Sequence, residues 1–170
     1  MALSFGIVGC GRIASTHAKN MASRGKILAV CDIVEEKANA LAYEYKAKAY
    51  YDFNLMLKSE ASMEVISICT PNGLHASHSI AALNNRFHVI CEKPMALGVQ
   101  DCQDMIKASQ IAERQLFIVK QNRYNPPVAA IKKLLEDGKL GKIYSLQMNF
   151  TIWVSEIEQI RAVRKNSLHF

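Results

Sequence analysis

Short runs of apolar residues alternate with longer segments of helical periodicity along this chain, and the alternation restricts the folds that it can adopt. The apolar runs that we predict as strands occupy residues 5–8, 27–31, 49–51, 65–68, 87–90 and 116–119. The segments that we predict as helices occupy residues 13–23, 35–46, 53–58, 74–83, 99–114 and 126–135. Continuously apolar strands separated by helices are typical of a parallel sheet covered on both faces. With right-handed crossovers, this pattern predicts a doubly wound α/β fold.

The pattern changes near residue 142. A turn-rich break over residues 136–141 precedes residues 143–153, in which polar and apolar side chains alternate as in a half-buried strand. We therefore predict a first domain over residues 1–142 and the start of a second domain over residues 143–170. As an unpaired edge, the strand over 143–153 would offer its backbone to a second copy, so we predict a homo-oligomer through it.

Composition and charge exclude several classes of protein. The chain has 170 residues, of which 50% are hydrophobic and 21% charged, which is typical of a globular protein. Lys and Arg outnumber Asp and Glu by 21 to 15, but they form no basic stripe interleaved with aromatics, so nucleic acid is not a predicted partner. No run approaches the roughly 18 apolar residues of a membrane span. Residues 1–5 have no basic leader region, so we predict a cytoplasmic protein with no membrane partner.

The cysteines predict neither disulfides nor a metal site. There are 5 of them, an odd number with no C-x-x-C pair, which argues against a closed disulfide framework. Four lie in or just after predicted strands, where a free cysteine behaves as a small buried hydrophobic residue. The histidines show no ligand spacing with them, so no metal is predicted.

A glycine-rich turn follows the first predicted strand and opens the first predicted helix. Residues 9–14 read Gly-Cys-Gly-Arg-Ile-Ala and fit the pattern G-x-G-x-x-G/A. Gly9 allows the tight turn, Gly11 lets the backbone approach a pyrophosphate, and Ala14 permits close packing of helix on strand. The helix N-terminus adds free N–H groups. The motif predicts dinucleotide binding; the alternative is a glycine turn that only saves space.

An acidic residue ends the second predicted strand. Asp32 lies about 20 residues after the glycine turn, where a carboxylate accepts hydrogen bonds from the adenosine ribose. It would repel a 2′-phosphate, and the next residues, Ile33 and Val34, provide no cation, so NAD is favoured over NADP. The alternative is that Asp32 is a helix N-cap.

Three polar clusters follow the fourth, fifth and sixth predicted strands, at the edge where doubly wound sheets bind ligands. After the fourth strand, Asn72 and His75 are expected to face the cleft, although a capping role and a surface role respectively are open alternatives. After the fifth, Lys93 can donate to a reacting oxygen, with Pro94 fixing its backbone; without context this is only a charged turn. After the sixth, Arg123 can bind a carboxylate or phosphate, or lie in a solvated loop.

Taken together, these motifs resemble one family. The matching runs are Gly-Cys-Gly-Arg-Ile-Ala at 9–14, Cys-Thr-Pro-Asn-Gly-Leu-His at 69–75, Cys-Glu-Lys-Pro-Met-Ala-Leu at 91–97 and Lys-Gln-Asn-Arg-Tyr-Asn-Pro-Pro at 120–127. The chain resembles the N-terminal, Rossmann-type part of Gfo/Idh/MocA oxidoreductases over about residues 3–150. Within that family, the last run is most similar to bacterial nucleotide-sugar 3-dehydrogenases, which oxidise UDP-N-acetylglucosamine or its uronic acid with NAD for lipopolysaccharide synthesis.

The resemblance implies NAD as cofactor, a UDP-sugar as substrate and a role for each matching residue. The residues that it assigns to cofactor binding are Gly9, Gly11, Arg12, Ile13, Asp32, Thr70, Asn72, His75, Glu92, Lys93, Gln121 and Arg123. The first four would lie along the phosphates, and Asp32 on the ribose. Residues 70–75 would line the nicotinamide half, and Glu92 would lie beside the nicotinamide ring. Lys93, the catalytic residue, would bind the hydroxyl group that loses hydride.

The chain also departs from the family pattern. Family members continue into an α+β substrate domain whose Asp-x-x-x-His signature supplies the general base, and this sequence contains no such signature. Residues 154–170 match nothing expected there, so we predict a truncated or frame-shifted product with an unrelated tail. Two readings remain: an NAD-dependent oxidoreductase of nucleotide-sugar type that is catalytically impaired, or a non-catalytic NAD-binding module or inactive remnant.

Overall fold

The computed structural model describes residues 2–145 and 147 and contains one six-stranded sheet. Its strands are β1 (Leu3–Val8), β2 (Gly25–Cys31), β3 (Lys48–Tyr50), β4 (Val65–Ile68), β5 (His88–Cys91) and β6 (Leu116–Ile118). They stand in the order β3-β2-β1-β4-β5-β6, and every neighbouring pair is parallel. The strand order reverses between β1 and β4, which makes the gap beyond their carboxyl ends the natural ligand crevice.

Helices connect the strands, as the apolar periodicity predicts. They are α1 (Arg12–Ala22), α2 (Glu35–Tyr45), α3 (Phe53–Ser59), α4 (His75–Asn84), α5 (Val99–Ala112) and α6 (Pro126–Glu136). The six strands and six helices predicted within residues 1–142 are all found, with ends that differ by at most about two residues. The start of the fourth predicted helix is instead a 3-10 turn over Asn72–Leu74, and α4 begins at His75. The doubly wound α/β fold is therefore confirmed.

Two hydrophobic clusters cover the two faces of the sheet. On one face, α1 and α2 contribute Ala14, Ala18 and Leu41 against Ile7 of β1. On the other face, residues of α3, α4 and α5 pack against the strands, and Val8 of β1 belongs to this second cluster. Neighbouring strand residues point to opposite faces, so a strand between two helical layers is apolar at most positions on both faces. This is the physical reason for the continuous apolar runs.

The chain separates into two compact units, residues 1–121 and residues 122–170. Helix α6, in the second unit, begins with the predicted proline pair and has no buried residue. Residues 143–145 and 147 form no strand, and the rest of the strand predicted over 143–153 lies outside the described residues. The predicted boundary near residue 142 stays a prediction. Among the described residues, no helix is long and apolar enough to cross a membrane.

Candidate functional site

The carboxyl ends of the parallel strands bring most of the predicted residues to one edge of the sheet. Because all six strands run in the same direction, the segments that follow β1, β2, β4 and β5 meet there. These segments carry Gly9, Asp32, Thr70 and Lys93 respectively. The sequence analysis predicted that these residues lie at one edge because it predicted a parallel sheet, and the sheet is as predicted.

The two glycines of the loop after β1 have different surroundings. Gly9 has a φ of +86°, and a Cβ added there would lie 2.6 Å from the backbone carbonyl of Cys69. A side chain at this position would therefore both strain the backbone and collide with the segment after β4. At Gly11 an added Cβ would meet nothing within 4 Å, so this glycine leaves open space beside the start of α1.

That open space suits an anionic group. Gly11 is the N-cap of α1, it makes no side-chain cap, and the first turn of the helix contains no acidic residue. The first N–H groups of a helix lack intrahelical partners and carry partial positive charge. The loop can thus hold a diphosphate, because Gly11 lets the ligand approach the backbone and no carboxylate in that turn repels it.

Asp32 is oriented by the backbone on both sides. Its Oδ2 accepts a hydrogen bond from the Cys10 N–H at 2.7 Å, and its Oδ1 accepts one from the Val34 N–H at 2.9 Å. The alternative reading of Asp32 as a helix N-cap is wrong, because the N-cap of α2 is Val34. Each carboxylate oxygen still has a lone pair that can accept from a ribose hydroxyl. The bond to Cys10 also ties this acid to the glycine loop.

A cavity of about 330 Å³ opens between the ends of β1, β2 and β4. Gly9, Asp32 and Thr70 line it, as do Phe53 and His78, whose roles the sequence analysis missed. The rings of Phe53 and His78 pack at 5.0 Å, and His78 Nδ1 lies 3.3 Å from Thr70 Oγ1. Burial, and then the charge of His75, lower the pKa of His78. Since Phe53 follows β3 at the same edge, the strand-end rule was a usable signal for it.

His75 is placed differently from the expectation. We expected it to face the cleft or the surface, but it is only 1% exposed. Its Nδ1 lies 2.7 Å from the Pro94 carbonyl and its Nε2 lies 2.9 Å from the Thr70 carbonyl. Each ring nitrogen thus faces the carbonyl oxygen of a different segment. The ring therefore ties together the segments after β4 and β5, while Asn72, which caps no helix through its side chain, is exposed.

The two charged residues of the turn after β5 differ in their exposure to solvent. Lys93 is exposed and precedes a cis peptide bond to Pro94. Glu92 is 8% exposed; its Oε1 lies 2.8 Å from His17 Nε2 and its Oε2 accepts from the Lys93 N–H at 3.1 Å. The lysine amine is thus available at the edge of the sheet, whereas the glutamate is turned inward.

His17 is a third residue that the sequence analysis missed. It lies in α1, and its Nδ1 is 2.7 Å from the Oγ of Ser67 in β4. The order Ser67, His17, Glu92 is that of a hydrolase triad, but Ser67 is 0% exposed and cannot reach a substrate. A signal was present: His17 stands three residues after Ala14, which is on the buried face of α1.

The cysteines around the site are not nucleophiles. Burial, followed by the charge of Asp32, raises the pKa of Cys10 to about 12. Burial likewise raises the pKa of Cys69 to about 12. Such groups are protonated at neutral pH, and only the thiolate attacks. Within the described residues no group of three or more His, Cys, Asp or Glu could hold a metal ion.

Gln121 and Arg123 lie on a 3-10 turn that follows β6, and both are exposed. The boundary between the two compact units passes between them. Their assignment to cofactor or substrate stays a prediction.

The comparison with known families agrees with this fold. The family described as an oxidoreductase family with an NAD-binding Rossmann fold matches residues 3–120. The chain belongs to the Gfo/Idh/MocA oxidoreductase family. Residues 3–120 are its NAD-binding domain, so the predicted cofactor, NAD, and the predicted enzyme class, an NAD-dependent oxidoreductase, are confirmed at the level of the family.

Similar proteins include dehydrogenases of sugars and of inositol. The chain is 36% identical to an inositol 2-dehydrogenase of Salmonella typhimurium, over 84% of this chain and 44% of the relative. A WlbA dehydrogenase from Bordetella pertussis, solved with NADH and UDP-GlcNAcA, is 34% identical with a TM-score of 0.79, over 85% of this chain and 45% of that one. A myo-inositol 2-dehydrogenase from Lactobacillus plantarum is 25% identical, with a TM-score of 0.78. The chain thus spans less than half the length of these relatives.

Proposed function

We propose that this chain is the cofactor-binding part of an NAD-dependent dehydrogenase that oxidises a secondary hydroxyl group of a nucleotide sugar. The observation that carries the proposal is that Gly9, Gly11, Asp32 and the exposed Lys93 all follow strands at the same edge of the parallel sheet. The similarity to a WlbA dehydrogenase solved with UDP-GlcNAcA supports the substrate class.

Each group of this edge has a task in the proposed reaction. The start of α1 and Gly11 bind the diphosphate, with Arg12 and Ile13 along it, and Asp32 accepts from the ribose hydroxyls. When bound, NAD supplies a nicotinamide ring that accepts hydride. The Lys93 ammonium donates a hydrogen bond to the substrate oxygen and orients it. Asn72 and Gln121 would extend this binding surface for cofactor and substrate, and the role of Arg123 stays a prediction.

Catalysis by this chain alone is expected to be weak. No Asp stands four residues before a His in the sequence, so the general base that the family resemblance implies is not supplied by these residues. General acid–base assistance contributes about 100- to 10,000-fold to a rate. The second candidate function, an NAD-binding module without turnover, rests on this observation.

Calorimetric titration of the 170-residue chain with NAD and with NADP tests the cofactor assignment. We expect NAD to bind at least about tenfold more tightly, because the Asp32 carboxylate repels a 2′-phosphate. The matched variant Asp32→Asn should reduce the difference between the affinities for NAD and NADP. If neither dinucleotide binds, the proposed function is wrong.

The substrate is tested by adding UDP-N-acetylglucosamine, its uronic acid or myo-inositol to the NAD-loaded chain and recording the absorbance of reduced nicotinamide. Turnover of a UDP-sugar that is lost in Lys93→Met supports the nucleotide-sugar dehydrogenase. Turnover of myo-inositol instead would assign the chain to the inositol branch. Tight NAD binding without turnover of any of them supports the non-catalytic module.

A further inference from the structure

We propose that His17 and His75 are a pair of positioning residues that hold the Lys93 turn from opposite faces of the sheet. The inference rests on the proposed function, because it concerns how Lys93 is presented to bound NAD and substrate. His17 belongs to α1, whose apolar residues pack on one face of the sheet. His75 begins α4, whose apolar residues pack on the other face. The two imidazole rings contact the residues on either side of Lys93, which are Glu92 and Pro94.

On the first side, His17 holds Glu92. The imidazole Nε2 lies 2.8 Å from Glu92 Oε1, and the side chains of the two residues are only 10% and 11% exposed. The other carboxylate oxygen, Oε2, accepts from the backbone N–H of Lys93 at 3.1 Å. One carboxylate therefore connects the helix that follows the glycine loop to the backbone of the catalytic lysine.

The hydrogen bonds around His17 form a consistent series. An ionised carboxylate can only accept, so Nε2 carries the hydrogen and donates to Glu92. Nδ1 lies 2.7 Å from the Oγ of Ser67, whose hydroxyl can donate to it, and the Ser67 oxygen lies 3.5 Å from the Cys69 thiol, which can donate in turn. The raised pKa of Cys69 keeps that thiol protonated. The series therefore leaves the Nε2 hydrogen directed at Glu92.

On the second side, His75 holds Pro94. Its Nδ1 lies 2.7 Å from the Pro94 carbonyl oxygen, while its Nε2 reaches the carbonyl of Thr70 on the neighbouring strand end. With Glu92 held through one ring and Pro94 through the other, the Lys93 backbone between them has little freedom. We call these contacts of His17 with Glu92 and of His75 with Pro94 the clamp. The Lys93 side chain remains exposed, so the clamp restricts the base of the side chain and leaves its amine accessible.

The two rings use different nitrogens toward the turn, and this difference gives a matched test. In general a Gln amide nitrogen reaches the position of Nε2 and an Asn amide nitrogen reaches that of Nδ1. His17→Gln should keep the donor to Glu92, whereas His17→Asn should keep only the contact to Ser67. At the other ring the rule reverses: His75→Asn should keep the contact to Pro94, and His75→Gln should lose it.

The first readout compares NAD with ADP-ribose, which lacks only the nicotinamide ring, by calorimetry on the full chain. We expect His17→Asn and His75→Gln to lower NAD affinity about tenfold, the effect of one lost hydrogen bond to a buried group, with ADP-ribose affinity unchanged. The variants His17→Gln and His75→Asn should retain the wild-type ratio of the two affinities. Equal losses for both ligands, or no dependence on the choice of Asn or Gln, would overturn the clamp.

The second readout needs no ligand. Amide hydrogen exchange of Lys93 reports its bond to Glu92, and we expect protection in the wild type and in His17→Gln but faster exchange in His17→Asn. If the wild type fails to bind NAD, the proposed function is wrong while this measurement still decides the clamp. If the His75 variants do not fold, as judged by circular dichroism, the His17 pair decides it alone; unchanged Lys93 exchange in His17→Asn would overturn it.

Discussion

At the scale of single residues, the two glycines of the first loop predict opposite experimental outcomes. Gly9→Ala should destabilise the fold by about 2–4 kcal/mol, because the new methyl group meets backbone at 2.6 Å and the φ is +86°. Gly11→Ala should cost about 1 kcal/mol or less, as expected at an N-cap, yet it should weaken NAD binding by filling the space for the diphosphate. Thermal melting and calorimetry separate the two effects. Equal losses of stability in Gly9→Ala and Gly11→Ala would contradict the different roles assigned to the two glycines.

The cysteines provide a residue-scale prediction that depends on pH. Raised pKa values of about 12 for Cys10 and about 11 for Cys91 leave very little thiolate at pH 8, a fraction that rises only as the pH approaches those values. Cys102 is partly exposed on α5. Iodoacetamide at pH 8, followed by peptide mass spectrometry, should therefore label Cys102 first. Faster labelling of Cys10 would contradict the pKa assignment.

At the scale of elements, the start of α1 is predicted to bind the cofactor through its N–H groups and its dipole. An acid there favours the helix itself but repels a diphosphate, so the two effects have opposite signs. Ile13 is 42% exposed in the first turn and can be changed without disturbing the core. Ile13→Asp should leave the melting temperature unchanged or higher while lowering NAD affinity about tenfold, most strongly at low salt. The uncharged control Ile13→Asn should show a much smaller loss; equal losses would point to shape, not charge.

At the scale of the whole molecule, self-association through residues 143–153 stays a prediction. Alternating strand sequences that are left at an edge pair readily with a second copy. Light scattering over a range of concentrations should give a mass of at least two chains, and Asn149→Pro, which removes a backbone donor from the segment, should lower it. A monomer at every concentration would remove the prediction. This measurement also bears on turnover, because an oligomer could complete a site.

The sequence alone determined the order of elements, the doubly wound fold and the edge of the sheet where the site lies. These features depend on local properties: a strand between two helical layers is mostly apolar on both faces, and a glycine such as Gly9 marks a turn that no other residue fits. Once a parallel sheet is predicted, the segments after its strands must meet at one edge. Gly9, Asp32 and Lys93 could be named on that basis.

Tertiary structure decided what holds those residues in place. His17 and Glu92 are 75 residues apart, and nothing in either local sequence indicates that their side chains meet. His75 was expected at the cleft or the surface but is buried between two carbonyls, and His78, which the sequence analysis did not identify, lines the cavity. Hydrogen bonds between distant elements depend on how helices dock on a sheet to within an ångström or so, whereas periodicity reports only which face of an element is buried. The residues proposed to bind cofactor and substrate could therefore be predicted from the sequence. The hydrogen bonds that hold those residues in place could not.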